Sequence, residues 1–306
     1  DNNKLFKLTP TEKGLLYAVV TLLIWSSFHL VSRIGGTSSL TVFDIAALRI
    51  AISALALSPW WLPRVLDRSR RKVPFYQILT LSLLTGIGYP LMAYTGYVFA
   101  PASHGAVIIV GLLPPFTAAL TYLLMKEKPS AMRAACIVLV VAGVTAMLAS
   151  AVAKTGLDLN ILKGDAIFAI SSLMWALFTV LLYRWKQKAF DVTLGMVAMS
   201  AILYLPVYAL FLPKAILETP LEQIGFQAVF QGILVPVVAT FTYAKAIENF
   251  GATRSVLLLS ATPVVGTLLG VGFLNEPLYP WAAAGICVVF VGSILGALSQ
   301  RPTPTQ

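Results

Sequence analysis

Ten apolar stretches of about twenty residues leave this chain almost no room for anything else. They run over 14–36, 41–62, 74–99, 103–125, 130–152, 162–184, 193–213, 225–247, 252–274 and 279–299. Segments of that length, poor in charge, match the roughly 30 Å hydrocarbon core of a bilayer. A backbone in lipid must satisfy its own polar groups, and a continuous apolar run does so as a helix. Charged residues make up 11% of the sequence, against about 25% in a soluble domain. The expected class is therefore an all-α integral membrane protein with ten transmembrane helices, partnered by the lipid bilayer. No sizeable aqueous domain is left over, and the first stretch is too long for a cleavable signal.

The net charge of +10 raises the question of nucleic acid, but its distribution answers otherwise. With ten spans both ends of the chain share a side. One side collects Lys4, Lys7, Lys13, Arg64, Arg68, Arg70, Arg71, Lys72, Lys126, Lys128, Arg133, Arg184, Lys186, Lys188, Lys245, Arg254 and Arg301. The other keeps Arg33, Lys154, Lys163 and Lys214. Such asymmetry in short loops is an orientation signal, not a polyanion-binding surface. It predicts a multi-pass protein of a bacterial-type cytoplasmic (inner) membrane with both termini in the cytoplasm, and no nucleic-acid partner. Cys136 and Cys287, each inside an apolar span, read as two buried thiols that pack as small apolar groups, and no metal or cofactor is expected.

Two stretches echo each other. Ser103 to Pro129 and Ala252 to Pro277 are apolar spans interrupted by proline, Pro114-Pro115 in one and Pro263 in the other, and both end in a Glu-Pro signature, Glu127-Lys128-Pro129 and Glu276-Pro277. Trp25 with Trp175, Tyr94 with Tyr243, Pro114 with Pro263 and Glu127 with Glu276 recur at offsets of 150, 149, 149 and 149 residues. Each half holds five spans, an odd number, so residues 14–152 and 162–299 are expected to form two inverted five-helix repeats. Interrupted helices at matching places in such halves point to a mid-membrane binding site.

Several side chains are candidates to line it. Trp25, Phe28, His29, Ser32 and Arg33 share one face of the first span, and Trp175, Phe178, Thr179 and Tyr183 recur on the sixth. Trp25 and Trp175 fall near span centres. Trp60, Trp61, Trp185 and Trp281, at span ends, suit an interfacial belt. His29 either binds solute or carries a proton, or it bonds to a neighbouring helix. His104 sits at an interface and needs no function. On the third span Pro90, Tyr94 and Tyr97 share a face, and Pro236, Thr240 and Tyr243 repeat that spacing on the eighth, so either Tyr94 or Tyr97 corresponds to Tyr243.

A charge at the bilayer centre costs about 2.5–3.5 kcal/mol on insertion scales, so it must face inward or pair. Arg49 is the deepest, either bonded to helix ends or bound to a ligand; Asp44, five residues earlier, is on a different face. No acidic residue is placed mid-membrane, which argues against a carboxylate proton relay. Gly292 and Gly296 have the spacing of a close helix contact, and the state is monomer or homodimer.

Taken together, Trp25-Ser26-Ser27-Phe28, Ala47-Leu48-Arg49-Ile50, Pro114 with Glu127, Gly164-Asp165, Trp175, Tyr243-Ala244, Pro263 and Glu276-Pro277 resemble the drug/metabolite transporter superfamily, EamA type, over about 14–299. The resemblance implies export, less often uptake, of amino acids and other small metabolites through a cavity framed by helices 1, 3, 4, 6, 8 and 9. The expected function is a secondary transporter, an exporter by that resemblance, of a small polar or zwitterionic, amino-acid-like metabolite. Its expected site is Trp25, Phe28, His29, Ser32, Arg33, Tyr94, Tyr97, Pro114, Trp175, Phe178, Thr179, Tyr243 and Pro263. A multidrug or hydrophobic-cation exporter of the same fold is the alternative. An enzyme is not expected, because no activated nucleophile, metal set or paired mid-membrane carboxylates are present.

Overall fold

The computed structural model describes residues 9–298, and Lys4, Lys7, Ser299 and Arg301 lie outside them. Ten helices are long and apolar enough to cross a membrane: α1 (Pro10–Gly36), α2 (Val42–Leu66), α3 (Phe75–Phe99), α4 (Ala102–Met125), α5 (Ala131–Thr155), α6 (Leu159–Arg184), α7 (Ala189–Phe211), α8 (Leu221–Phe250), α9 (Arg254–Leu274) and α10 (Pro280–Leu298). No strand occurs among the described residues. The protein is an all-α, multi-pass membrane protein. Short connections make successive helices run in opposite directions, so the loops holding Arg70, Lys128 and Lys186 share what is called here the basic end.

The helices outrun the apolar stretches because polar caps extend them. Thr9 and Glu12 form a reciprocal capping box that starts α1 at Pro10, ahead of residue 14. Thr41 and Asp44 do the same for α2, which then carries Pro59 and Pro63 through to Leu66. Both boxes satisfy donors that the first helical turn leaves orphaned. At the other end of a helix, Gly156 (φ 77°) and Gly251 (φ 92°) terminate α5 and α8 in a conformation that glycine adopts without strain.

Four spans are irregular in matching ways. α3 winds as a π-helix over Ser82–Gly88 and α8 over Phe230–Ala239, close to Pro90 and around Pro236, where the proline removes a ladder donor. α4 breaks between Ala102–Gly111 and Leu113–Met125, and α9 between Ala252–Leu259 and Thr262–Leu274. Pro114 and Pro263 each fall in the first turn of the second piece. Both second pieces stop at a left-handed residue, Lys126 (φ 62°) and Asn275 (φ 53°).

The core runs through α1, α3, α4 and α6, where Phe28, Tyr94, Tyr97, Val107, Ile108 and Phe168 are buried together. α5 and α10 pair with their backbones almost touching. A Cβ on Gly143 would lie 2.5 Å from the carbonyl oxygen of Gly285, and one on Gly285 the same distance from that of Gly143. Gly292 joins this seam, 2.8 Å from a Val140 methyl by the same construction. The small residues of α10 thus serve a contact within the chain. Cys136 is buried on α5, while Cys287 is exposed on α10, which corrects the expectation of two buried thiols: α10 packs through Gly285, Ile286, Val289 and Gly292, and residue 287 is on another face.

Candidate substrate cavity

A cavity of about 140 Å³ opens between α2, α3, α6, α7 and α8. Its wall includes Arg49 and Ser53 of α2, Thr85 and Gly86 of α3, Trp175 and Phe178 of α6, Thr193 and Ser200 of α7, and Pro236 and Thr240 of α8. Apart from Arg49, which lies in the half of α2 (Val42–Leu66) away from the basic loops, those positions lie from mid-span towards the basic end of each helix. The π-helical turns of α3 and α8 contribute Thr85, Gly86 and Pro236, so part of the irregular backbone borders the cavity, a setting in which membrane protein tolerates it. Trp175 stands 4.9 Å from Tyr89 and 5.8 Å from Phe178 between ring centroids, a continuous aromatic side. Opposite in character, Ser53, Thr85 and Ser200 supply buried hydroxyls.

Two of the expected residues, Trp175 and Phe178, are on that wall. Thr179 is exposed and its hydroxyl donates to the Trp175 carbonyl at 2.9 Å, a bond within its own helix, and Tyr183 is exposed as well. Of the remaining expected residues, His29, Ser32, Arg33, Tyr94 and Tyr97 belong to the other half of the bundle. His29 Nδ1 meets the Tyr97 hydroxyl at 2.5 Å. Arg33 donates to the carbonyls of Tyr97 (2.5 Å) and Val98 (3.2 Å), neutralising the negative end of α3. The Tyr94 hydroxyl donates to Gln231 (3.0 Å), whose amide donates to Ser32 (3.2 Å). Phe28 packs 6.2 Å from Tyr94 and 6.3 Å from Tyr97. Trp25 leans on Tyr243, 5.2 Å between centroids, and Pro114 and Pro263 turn their helices outside the cavity wall. Gln227 donates to the Val31 carbonyl at 3.0 Å, and Glu276 accepts from the backbone N–H groups of Ala102 (2.6 Å) and Ser103 (3.0 Å).

These bonds tie α1, α3, α4, α8 and the α9–α10 connection into a plug. That half holds a smaller cavity of about 70 Å³ between the start of α4, the end of α5 and the start of α10, whose wall includes neither His29 nor Tyr97; around those two the helices approach closely, since a Cβ at Gly105 would fall on the Tyr97 ring, and one at Gly266 would lie 2.9 Å from Ala106 and 3.2 Å from the His29 ring. Hence α2 and α7 line the cavity in place of the α1, α4 and α9 that the resemblance implied. His104, expected to be an interfacial residue without a function, bonds Asp165 of α6 at 2.8 Å, a pairing invisible in sequence because the two are 61 residues apart. Asp44 is engaged by Thr41, the Tyr208 hydroxyl (2.5 Å) and the Ala215 N–H (3.0 Å), not by Arg49. Removing the imidazole tests the plug. His29→Ala is expected to orphan the buried Tyr97 hydroxyl at a cost of about 1–3 kcal/mol, read as a lowered melting temperature in detergent, with solute affinity at the cavity retained.

Ten membrane-length helices around a small, partly polar cavity define a multi-pass membrane protein built to accept a solute. The chain belongs to the EamA-like transporter family, whose model matches residues 12–149 and again 162–297. It is therefore a membrane transporter. It is 21% identical over 303 residues to an uncharacterized transporter of Clostridium kluyveri, covering 95% of this chain and 94% of that one. It is 24% identical to the uncharacterized transporter YwfM of Bacillus subtilis, covering 96% and 97%. A solved crystal structure superposes with a TM-score of 0.62 at 19% identity over 95% of this chain and 98% of its own, a likeness of fold.

Proposed function

We propose that the protein is a secondary transporter, an exporter in direction, that moves a small polar or zwitterionic, amino-acid-like metabolite by alternating access. The observation that carries this reading is the asymmetry of the bundle. The half towards the basic end contains a polar and aromatic cavity, and the other half is cross-linked by buried hydrogen bonds. That is the arrangement of a carrier caught facing one side. The Glu-Pro echo supports it: Glu276 clamps the start of α4, while its counterpart Glu127 is exposed at the basic end, the end at which α9 begins. In the reading proposed here, residues 14–152 and 162–299 are inverted repeats, and the opposite state exchanges the two clamps. The cavity's size fits one small solute, since a void of about 150 Å³ accommodates a benzene ring. The basic loops support a reading in which that end faces the cytoplasm of a bacterial-type inner membrane, by the positive-inside rule.

Reconstitution tests it. Proteoliposomes preloaded with a mixture of unlabelled amino acids are expected to accumulate the matching radiolabelled amino acid transiently by counterflow. Uptake no greater than in protein-free liposomes across all twenty would contradict the reading.

A further inference from the structure

Arg49 is the one charged side chain on the cavity wall, and no described residue neutralises it. None of the ion pairs among the described residues includes it. Its Nη1 is buried with no hydrogen-bond partner, and so is the hydroxyl of Ser200, another wall residue, on α7 against Gly86 of α3. The guanidinium is hydrogen-bonded to the Tyr94 phenol through another of its N–H groups and lies beside the phenol of Tyr89, and neither phenol supplies a counter-charge. The nearby acid of α2, Asp44, is committed to donors of three other residues, Thr41, Tyr208 and Ala215. A membrane-embedded cation left without a counter-ion is costly, and such residues mark substrate paths.

The other buried or half-buried hydroxyls of the wall have spent their protons. Ser53 donates to the Ile50 carbonyl (3.2 Å), Thr85 to that of Leu81 (3.1 Å) and Thr193 to that of Ala189 (2.8 Å), while Thr240 is exposed. The buried donors that remain are therefore a guanidinium N–H and one hydroxyl. A carboxylate accepts from both at once, and charge assistance makes such bonds the strong ones. No Asp or Glu lines the cavity, so a solute's cationic group finds only hydroxyl oxygens and the faces of Trp175 and Phe178. A lipophilic cation would meet an unscreened like charge instead.

We infer that Arg49, with Ser200, binds the carboxylate of the transported solute, and that the cavity selects small carboxylate-bearing metabolites against amides and lipophilic cations. This rests on the transport reading above and names the chemistry of its substrate.

The test compares solutes that differ only in the anion. Melting temperature of the purified protein and counterflow in proteoliposomes are measured with the twenty amino acids and their 2-oxo acid analogues, with the corresponding amino acid amides, and with tetraphenylphosphonium. At least one carboxylate is expected to raise the melting temperature and be transported, with its amide and tetraphenylphosphonium inert. Arg49→Gln is expected to weaken that solute about 10- to 100-fold, Arg49→Lys less, and Ser200→Ala about 3- to 10-fold; Ser200→Ala and Arg49→Lys keep the question open to answer where Arg49→Gln fails to fold. The amino acids against the 2-oxo acids show whether an ammonium group is also required. Equal binding of acid and amide, or unchanged affinity in both Arg49→Lys and Ser200→Ala, overturns the assignment while transport stands. Transport of tetraphenylphosphonium alone overturns it likewise. No response to any carboxylate overturns it as well, and the transport reading is then judged separately by whether any solute of the panel shows counterflow.

Discussion

Trp175→Ala is expected to weaken the transported solute at least tenfold in proteoliposomes while leaving the amount of inserted protein unchanged. The indole forms the aromatic side of the cavity together with Phe178 and is backed by Tyr89, and truncating it both removes contact area and widens the site. Loss of a ring contact and of the area it buries amounts to about 1.5–3 kcal/mol, which is roughly one to two decades of affinity. The comparison variant is Trp281→Ala, whose side chain is exposed on the bundle surface and is expected to leave solute affinity within a factor of about two. Equal behaviour of the two variants would remove Trp175 from the site.

Gly143→Val is the second large effect, and it concerns stability. Its Cβ would meet the Gly285 carbonyl oxygen at 2.5 Å and the Val289 backbone nitrogen at 2.9 Å. Those are backbone atoms that cannot swing aside, so α5 and α10 must separate. Overpacking of this kind costs about 1–3 kcal/mol and occasionally more, expected as an apparent melting temperature lower by about 5–10 °C. Gly225→Ala, where a Cβ meets nothing within 4 Å, should not lower it. A Gly143→Val protein as stable as the parent would mean that the α5–α10 seam is looser than described.

Much of the fold was legible because lipid leaves the sequence few options. Stretch length and poverty of charge placed all ten helices, and the proline positions placed the breaks in α4 and α9. The ends were harder, because Thr9 with Glu12 and Asp158 at the start of α6 extend helices by hydrogen bonds that hydropathy does not register. The site was legible only in part. Helical periodicity put Trp175 and Phe178 on one face correctly, but it treats every polar face as equivalent. It could not tell that His29, Ser32 and Arg33 are consumed by Tyr97 and Gln231. The residues left out carried a signal: Gln227 and Gln231, four apart in an apolar helix, announce a buried polar face, and Arg49 was already conspicuous as the deepest charge. Ser53, Thr193 and Ser200 gave none, since serine and threonine are common in membrane spans, where most such hydroxyls bond to their own helix as those of Ser53 and Thr193 do.

Thiol labelling from each face tests the one-sided cavity most directly. In a protein with Cys136 and Cys287 replaced by alanine, Thr193→Cys places a thiol on the cavity wall and Ser32→Cys one in the plug. In oriented vesicles, a membrane-impermeant thiol reagent added at the basic-loop face is expected to modify residue 193 quickly and residue 32 slowly. Added at the opposite face, it is expected to reach residue 193 only at the rate at which the plug opens. Rapid labelling of residue 32 from the face opposite the basic loops, with residue 193 protected from both sides, would contradict this account.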